Sequence, residues 1–227
     1  MAGWLAGDHC LDTRAMRSPD LVWYVSYGSN MHADRLGCYI AGGTAPGATR
    51  AQPGCRDGTP PRASRGTFLP GGIYFATLSP VWNGGRALYD PQLPGEQAAA
   101  RAWLVTPGQF ADIAAQEMYR ESDGDLDLSR VLDCGRVELG PGRYETLIHA
   151  GDHEGYPQLT FTAPHRADEV DPVAPSAAYL RMLAGGLQEA HAWSLERAAE
   201  YLAGLSGAAG EWTAEEIVAA CTHDTAA

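Results

Sequence analysis

A glutamate is the residue whose type and position point most directly to chemistry. Phe110, Ile113 and Ala114 recur at helical spacing, and Glu117 is the next position on that face. If the helix persists to this point, the carboxylate shares the direction of an apolar stripe and is desolvated. Its pKa then rises, and it becomes a usable proton shuttle near neutrality. If the helix frays by Gln116, Glu117 is a solvated surface acid. The second candidate is the turn Tyr27-Gly28-Ser29-Asn30. A strand that feeds a glycine turn and then a helix start aims several backbone N–H groups at one point, which suits an oxyanion or a carboxylate. The same residues also make an ordinary strand-to-helix turn, since Gly, Ser and Asn are common turn formers.

Other combinations carry less. The Tyr27–Asn30 turn is not a nucleophile elbow, because G-x-S-x-G needs a glycine on each side of the serine. Nothing singles out a histidine that would complete a triad with Ser29. His149 and His153 are four apart, but Gly151 lies between them in a strand end and loop, away from the helical geometry of H-E-x-x-H. Trp82-Asn83-Gly84-Gly85 reads as a packing corner or as part of a pocket wall.

These residues need elements to position them. Residues 21–26 (Leu-Val-Trp-Tyr-Val-Ser) form a run of apolar and aromatic residues that predicts a buried strand, followed by a helix over 31–36 capped by Ser29 or Asn30. Residues 41–66, rich in Gly, Pro, Arg and Ser, predict a long irregular connection. Short strands are expected at 72–77, 86–89, 101–105, 130–139, 143–149 and 158–162. Thr106-Pro107-Gly108-Gln109 opens a helix with Thr as N-cap, Pro at its first position and Gln completing a capping box. The last third predicts helices over 176–192 and 194–205, and Thr213 to Glu216 opens a short terminal one. The expected architecture is α+β, a small, partly closed mixed β-barrel with surrounding helices. It comprises an extension at 1–19, a main domain at 20–206 and a helical tail at 207–227.

Composition narrows the classes. Among 227 residues there are 16 basic and 28 acidic side chains, giving a formal charge of −12, a poor match for nucleic acid or an anionic membrane surface. Every basic residue is Arg, so Schiff-base chemistry and a lysine-containing P-loop are excluded. No run approaches the ~20 apolar residues of a membrane span, and residues 1–20 lack the apolar segment of a secretory signal. A cytoplasmic location is therefore expected. Five cysteines without a C-x-x-C predict mostly structural, reduced thiols and neither a disulfide framework nor a thiolate zinc site.

In chain order, Val25-Ser26-Tyr27-Gly28-Ser29-Asn30-Met31, Trp82-Asn83-Gly84-Gly85, the 103–105 strand with its helix ending Gln116-Glu117, and Pro175-Ser-Ala-Ala-Tyr179 resemble the γ-glutamylcyclotransferase family and its AIG2-like relatives. The resemblance spans about residues 21–205. It implies a small γ-glutamyl amine or amide as substrate, with 5-oxoproline and a free amine as products. It gives Glu117 the place of the general acid/base and makes Tyr27, Gly28, Ser29, Asn30 and Met31 the loop that holds the glutamyl group and its developing oxyanion. Tyr119 and Tyr179 would line the pocket. Because the attack is intramolecular, the resemblance implies neither cofactor nor metal. Met118 stands where the family often has glycine, and Arg86-Ala-Leu-Tyr-Asp90 where it often has a small apolar strand, which leaves the leaving group open, and oligomeric state is unassigned. Two other readings keep the same pocket: a tailoring enzyme that cleaves or transfers an amide or acyl group on a specialised metabolite, and a non-catalytic ligand-binding protein.

Overall fold

The structure, a computed structural model, describes residues 19–45, 50–94 and 97–223. The expected extension at 1–19 lies outside them except for Pro19. The chain runs β1 (Val22–Ser26), a 3₁₀ turn (Ser29–Met31), α1 (Ala33–Ala41), β2 (Ala63–Pro70), β3 (Gly72–Ser79), β4 (Gly84–Asp90) and β5 (Gln97–Val105). It continues through α2 (Pro107–Glu117), α3 (Ser129–Cys134), β6 (Arg136–Glu138), β7 (Thr146–His153) and β8 (Tyr156–Thr162), and after a second 3₁₀ turn ends in α4 (Ala177–His191), α5 (Leu195–Gly204) and α6 (Ala214–Thr222).

Six strands form one mixed sheet in the order β2-β5-β1-β8-β7-β6. β1 is its centre, antiparallel to β5 and parallel to β8. All five of its residues are buried because both sheet faces are covered. Trp23 and Val25 pack toward α4, α5 and α6, while Val22 and Tyr24 pack among residues of α1 and α2. Ala208 and Ile217 belong to the first of these clusters, so the described part of 207–227 packs onto the same core as β1.

The sheet does not close, which corrects the expected partial barrel. β3 and β4 pair with each other in a separate two-stranded sheet and are strapped to the segment before α4. Val173 donates its N–H to Phe75 O at 3.0 Å, and Gly85 donates to Ala174 O at 2.7 Å. With that hairpin withdrawn, β2 and the three-residue β6 are left as edges. The Gly84-Gly85 pair has a steric reason. A Cβ on Gly85 would lie 1.9 Å from Val173 O, and one on Gly84 would lie 2.5 Å from the Ser176 N. Only glycines let the strap approach closely enough to launch α4 from the hairpin.

Local signals predict most elements, with instructive exceptions. The capping box forms in full, Thr106 accepting from Gln109 N and the Gln109 side chain from Thr106 N, both at 3.1 Å. Ser176, Ser194 and Thr213 cap α4, α5 and α6. At α1 the cap is His32, whose Nδ1 accepts from Asp34 N, because Ser29 and Asn30 are taken up in the preceding 3₁₀ turn. The strand expected over 130–139 is a short helix followed by β6, and β2 emerges from the expected 41–66 connection. What remains of that connection is fastened to α2. Arg56 Nε meets Asp112 at 2.9 Å, and Gln109 Nε2 donates to Thr59 O at 2.7 Å. Cys38, Cys55 and Cys221 are free thiols, whereas Cys134 is disulfide-bonded, contrary to the expectation of uniformly reduced cysteines.

Gly85→Ala is expected to lower stability by about 1–3 kcal/mol, the usual cost of overpacking. A shift of the urea midpoint checks this, and an unchanged midpoint would show that the strap yields without cost.

Candidate active site

The helix does not fray before Glu117. It is the last residue of α2, and its carboxylate turns into a cleft of about 660 Å³ of empty space, counting the open mouth. Asn30 Nδ2 donates to Glu117 Oε1 at 3.1 Å and lies 3.2 Å from the Tyr24 hydroxyl. The Asn30 carbonyl accepts from Trp103 Nε1 at 3.0 Å, which ties the turn to β5. The Tyr39 hydroxyl hydrogen-bonds to Glu117 and lies 3.4 Å from Arg35 Nη2. A chain of polar groups therefore runs from Arg35 through Tyr39 to the carboxylate.

Burial raises the pKa of Glu117 above its ordinary 4.5, while the Tyr39 bond, the Arg35 charge, the Asn30 bond and the Arg143 charge each pull it back. The phenols of Tyr24, Tyr39, Tyr144 and Tyr179 are pushed up, chiefly by burial. They are neutral at physiological pH, and Tyr144 donates its hydroxyl to Ala87 O at 3.1 Å. The cleft thus holds one carboxylate of raised pKa among neutral hydroxyls.

Tyr27, Gly28, Ser29 and Asn30 line the cleft. Gly28 has φ −109°, so the turn does not need glycine for its backbone angle. Glycine instead leaves room, since a Cβ there would lie 3.3 Å from the Tyr179 hydroxyl and would press on it by a few tenths of an ångström. Tyr27 donates its hydroxyl to Phe161 O at 2.8 Å. Tyr179 stacks on Trp82 with ring centroids 5.2 Å apart, and its oxygen accepts from Ala87 N at 3.3 Å. Trp82 is accordingly both a packing corner and pocket wall. Tyr119 lies at the mouth, 40% exposed, with Arg50 and Arg143 stacked on its ring. Met31 is not brought to the cleft; its side chain is in the core, where Gly186 admits it against α4.

The weaker sequence candidates are accounted for locally. His32 caps α1 and faces Glu189 at 3.3 Å. His149 meets Asp152 at 2.9 Å, and His153 packs edge-on against Trp23. Among the described residues no group of three or more His, Cys, Asp or Glu is placed to hold a metal ion, and no helix is long and apolar enough to cross a membrane.

Sequence reasoning missed Tyr24, Tyr39, Tyr144 and Arg86 as cleft residues and had no means of choosing Arg35. A usable signal existed for Tyr39, which follows Arg35 by four residues on α1 and so shares its face. No comparable pattern marks Arg86 or Tyr144, which reach the cleft from the β3–β4 hairpin and the loop before β7.

Comparison with known structures finds the uncharacterized human protein LOC79017, with a TM-score of 0.50 and 16% identity over 88% of this chain and 98% of that one. The two chains share a fold. A structure described as γ-glutamyl cyclotransferase aligns at a TM-score of 0.46 and 16% identity, over 88% of this chain and 96% of that one. In sequence, the chain is 28% identical over 201 residues to histone deacetylase 5 of Arabidopsis thaliana, covering 80% of this chain and 30% of that protein. It therefore spans less than a third of that relative's length. No family model matches the chain.

The raised pKa has a consequence for stability. The native state holds the Glu117 proton to a higher pH than the unfolded state does, so this group's contribution falls as pH rises above 4.5 toward the folded-state pKa. Glu117→Gln, which is neutral throughout, is expected to melt higher than the parent at pH 8, with a smaller difference near pH 4. A constant difference across that range would mean that the carboxylate is not desolvated.

Proposed function

We propose that this chain is a γ-glutamylcyclotransferase-like enzyme acting on a small γ-glutamyl amine or amide. The observation that carries the reading is the Glu117 carboxylate inside the cleft, hydrogen-bonded to Asn30 of the Tyr27–Asn30 turn. The two features that the sequence resemblance pairs, a glutamate ending a helix and a Y-G-S-N turn, meet at one bond although they are 87 residues apart.

In this reading Glu117 accepts a proton from the glutamyl α-ammonium. The freed nitrogen forms a bond to the γ-carbonyl carbon, and the carbonyl electrons move onto oxygen. As the tetrahedral species collapses, the oxygen electrons reform the carbonyl and the bond to the leaving nitrogen breaks; Glu117 returns the first proton to that nitrogen, and the second proton lost by the attacking nitrogen follows it, so that the amine departs as its ammonium. The products are 5-oxoproline and an amine. The raised pKa suits both halves of the cycle, since it brings the acid and base forms closer in energy near neutrality. The Tyr27–Asn30 turn is assigned to hold the glutamyl group and the oxyanion, and Tyr179, whose approach Gly28 permits, to form the facing wall. Both reacting groups belong to one substrate, so the cleft contributes chiefly by holding a folded conformer.

A second reading keeps Glu117 and changes the acyl compound to an amide on a specialised metabolite. Arg86 favours it, because a buried guanidinium lines the cleft from the segment 86–90, where the resembled family often has a small apolar strand.

Purified protein is expected to release 5-oxoproline from at least one member of a panel of γ-glutamyl amino acids, glutathione and γ-glutamyl amines. Glu117→Gln should lower kcat by about 10²-fold or more, the usual contribution of a general acid/base, with an unchanged circular dichroism spectrum. An undiminished rate in the variant would remove Glu117 from the mechanism. Free amine released without 5-oxoproline would favour the second reading.

A further inference from the structure

Arg35 and Arg86 both line the cleft, and they are only 2% and 7% exposed. Nε and Nη1 of Arg35 and Nε of Arg86 have no hydrogen-bond partner among the described residues. Neither guanidinium there is within ion-pair distance of a carboxylate. Buried charge of this kind is normally paired, because removing a cation from water without an anion is costly. Both groups are nevertheless held firmly. Arg35 lies over the rings of Tyr39 and Trp82, 5.1 and 5.3 Å from their centroids, and Arg86 donates Nη2 to Leu78 O within the β3–β4 hairpin. Tyr179, stacked on Trp82, is within the electrostatic reach of both. With Arg143 at the mouth, the cleft carries three guanidinium groups against the one carboxylate of Glu117, in a chain whose formal charge is −12. A positive cleft in an acidic protein with buried, unpaired donors is arranged for an anion.

We propose that Arg35 and Arg86 form a carboxylate-binding pair in this cleft and that its substrate is an acyl compound held through a carboxylate by these two side chains. The proposal rests on reading the cleft as the acyl-substrate site, and it deepens that reading by assigning specificity to two named residues. A carboxylate offers about four lone-pair sites, enough to accept the three unpartnered N–H groups. Planar guanidinium groups favour it for its geometry as well as its charge. With Arg35 pinned against aromatic rings and Arg86 bonded to Leu78 O, the side chains lose little further freedom when the anion arrives.

Binding separates this proposal from the chemistry. Glutarate, glutaramide and inorganic phosphate are titrated calorimetrically into the full chain, into Glu117→Gln, and into Arg35→Gln, Arg86→Gln and Arg86→Lys, each checked for native circular dichroism. Glutarate is expected to bind the parent and Glu117→Gln, and glutaramide, which lacks the charge, neither. Each Arg→Gln change should weaken glutarate about 30-fold or more, the range seen when one partner of a buried charge pair is truncated, and Arg86→Lys should recover part of the loss. Equal binding of glutarate and glutaramide, undiminished glutarate binding in both Gln variants, or binding of phosphate without glutarate would each overturn the proposal. Because the titration needs no turnover, arginine-dependent glutarate binding without 5-oxoproline formation would refute the cyclotransferase reading alone. Release of 5-oxoproline at parental kcat/KM by both Gln variants would refute the arginine pair alone.

Discussion

The Asn30 side chain must be held against the end of α2, and much of the site depends on that contact. Its amide donates to Glu117 and lies beside the Tyr24 hydroxyl, while its backbone carbonyl accepts from Trp103. Three elements meet there: the central strand through Tyr24, the turn that follows it, and the neighbouring β5 through Trp103. A carboxylate removed from water is tolerable only where donors replace the water. Asn30 and Tyr39 supply them, with the Arg35 charge behind Tyr39. The compensation is partial, so the carboxylate keeps a raised pKa.

Small residues decide how closely the elements approach one another around this contact. Gly28 leaves room for the Tyr179 hydroxyl. Gly84 and Gly85 let the strap before α4 lie against the β3–β4 hairpin, which brings Trp82 and Tyr179 into stacking contact. Gly186 admits Met31 against α4, fixing the end of the Tyr27–Asn30 turn from behind. Packing of this kind stabilises the fold and shapes the cleft at once, because the aromatic faces that fill the core edge are the walls a substrate would meet.

The cleft is electrically unlike the rest of the protein. Neutral phenols surround a single acid, and the guanidinium groups enter from α1 and β4 with no carboxylate at ion-pair distance among the described residues. Such a site gathers polar groups in a small, largely buried volume, where each interaction is stronger than at the surface. The loop at 50–62 contributes from outside. Arg56 and Gln109 fasten it to the first turns of α2, so the helix that presents Glu117 is anchored at both ends.

The sequence by itself determined the local pieces. The apolar run at 21–26, the capping residues Thr106, Ser176, Ser194 and Thr213, and the placement of Glu117 on an apolar helix face all follow from period and end chemistry, which act over a few residues. These signals found the acid, the turn and most elements. They could not reveal that β3 and β4 leave the sheet and keep it open, since pairing is decided by contacts with a strap about 90 residues away. The family resemblance placed Met31 in the site with the turn, whereas packing against Gly186 turns it into the core. Arg35, Arg86, Tyr39 and Tyr144 come from separate elements, and their convergence has no sequence period to announce it. Only the tertiary structure brings isolated side chains to one cleft, because burial and charge at a site are properties of what packs around a residue.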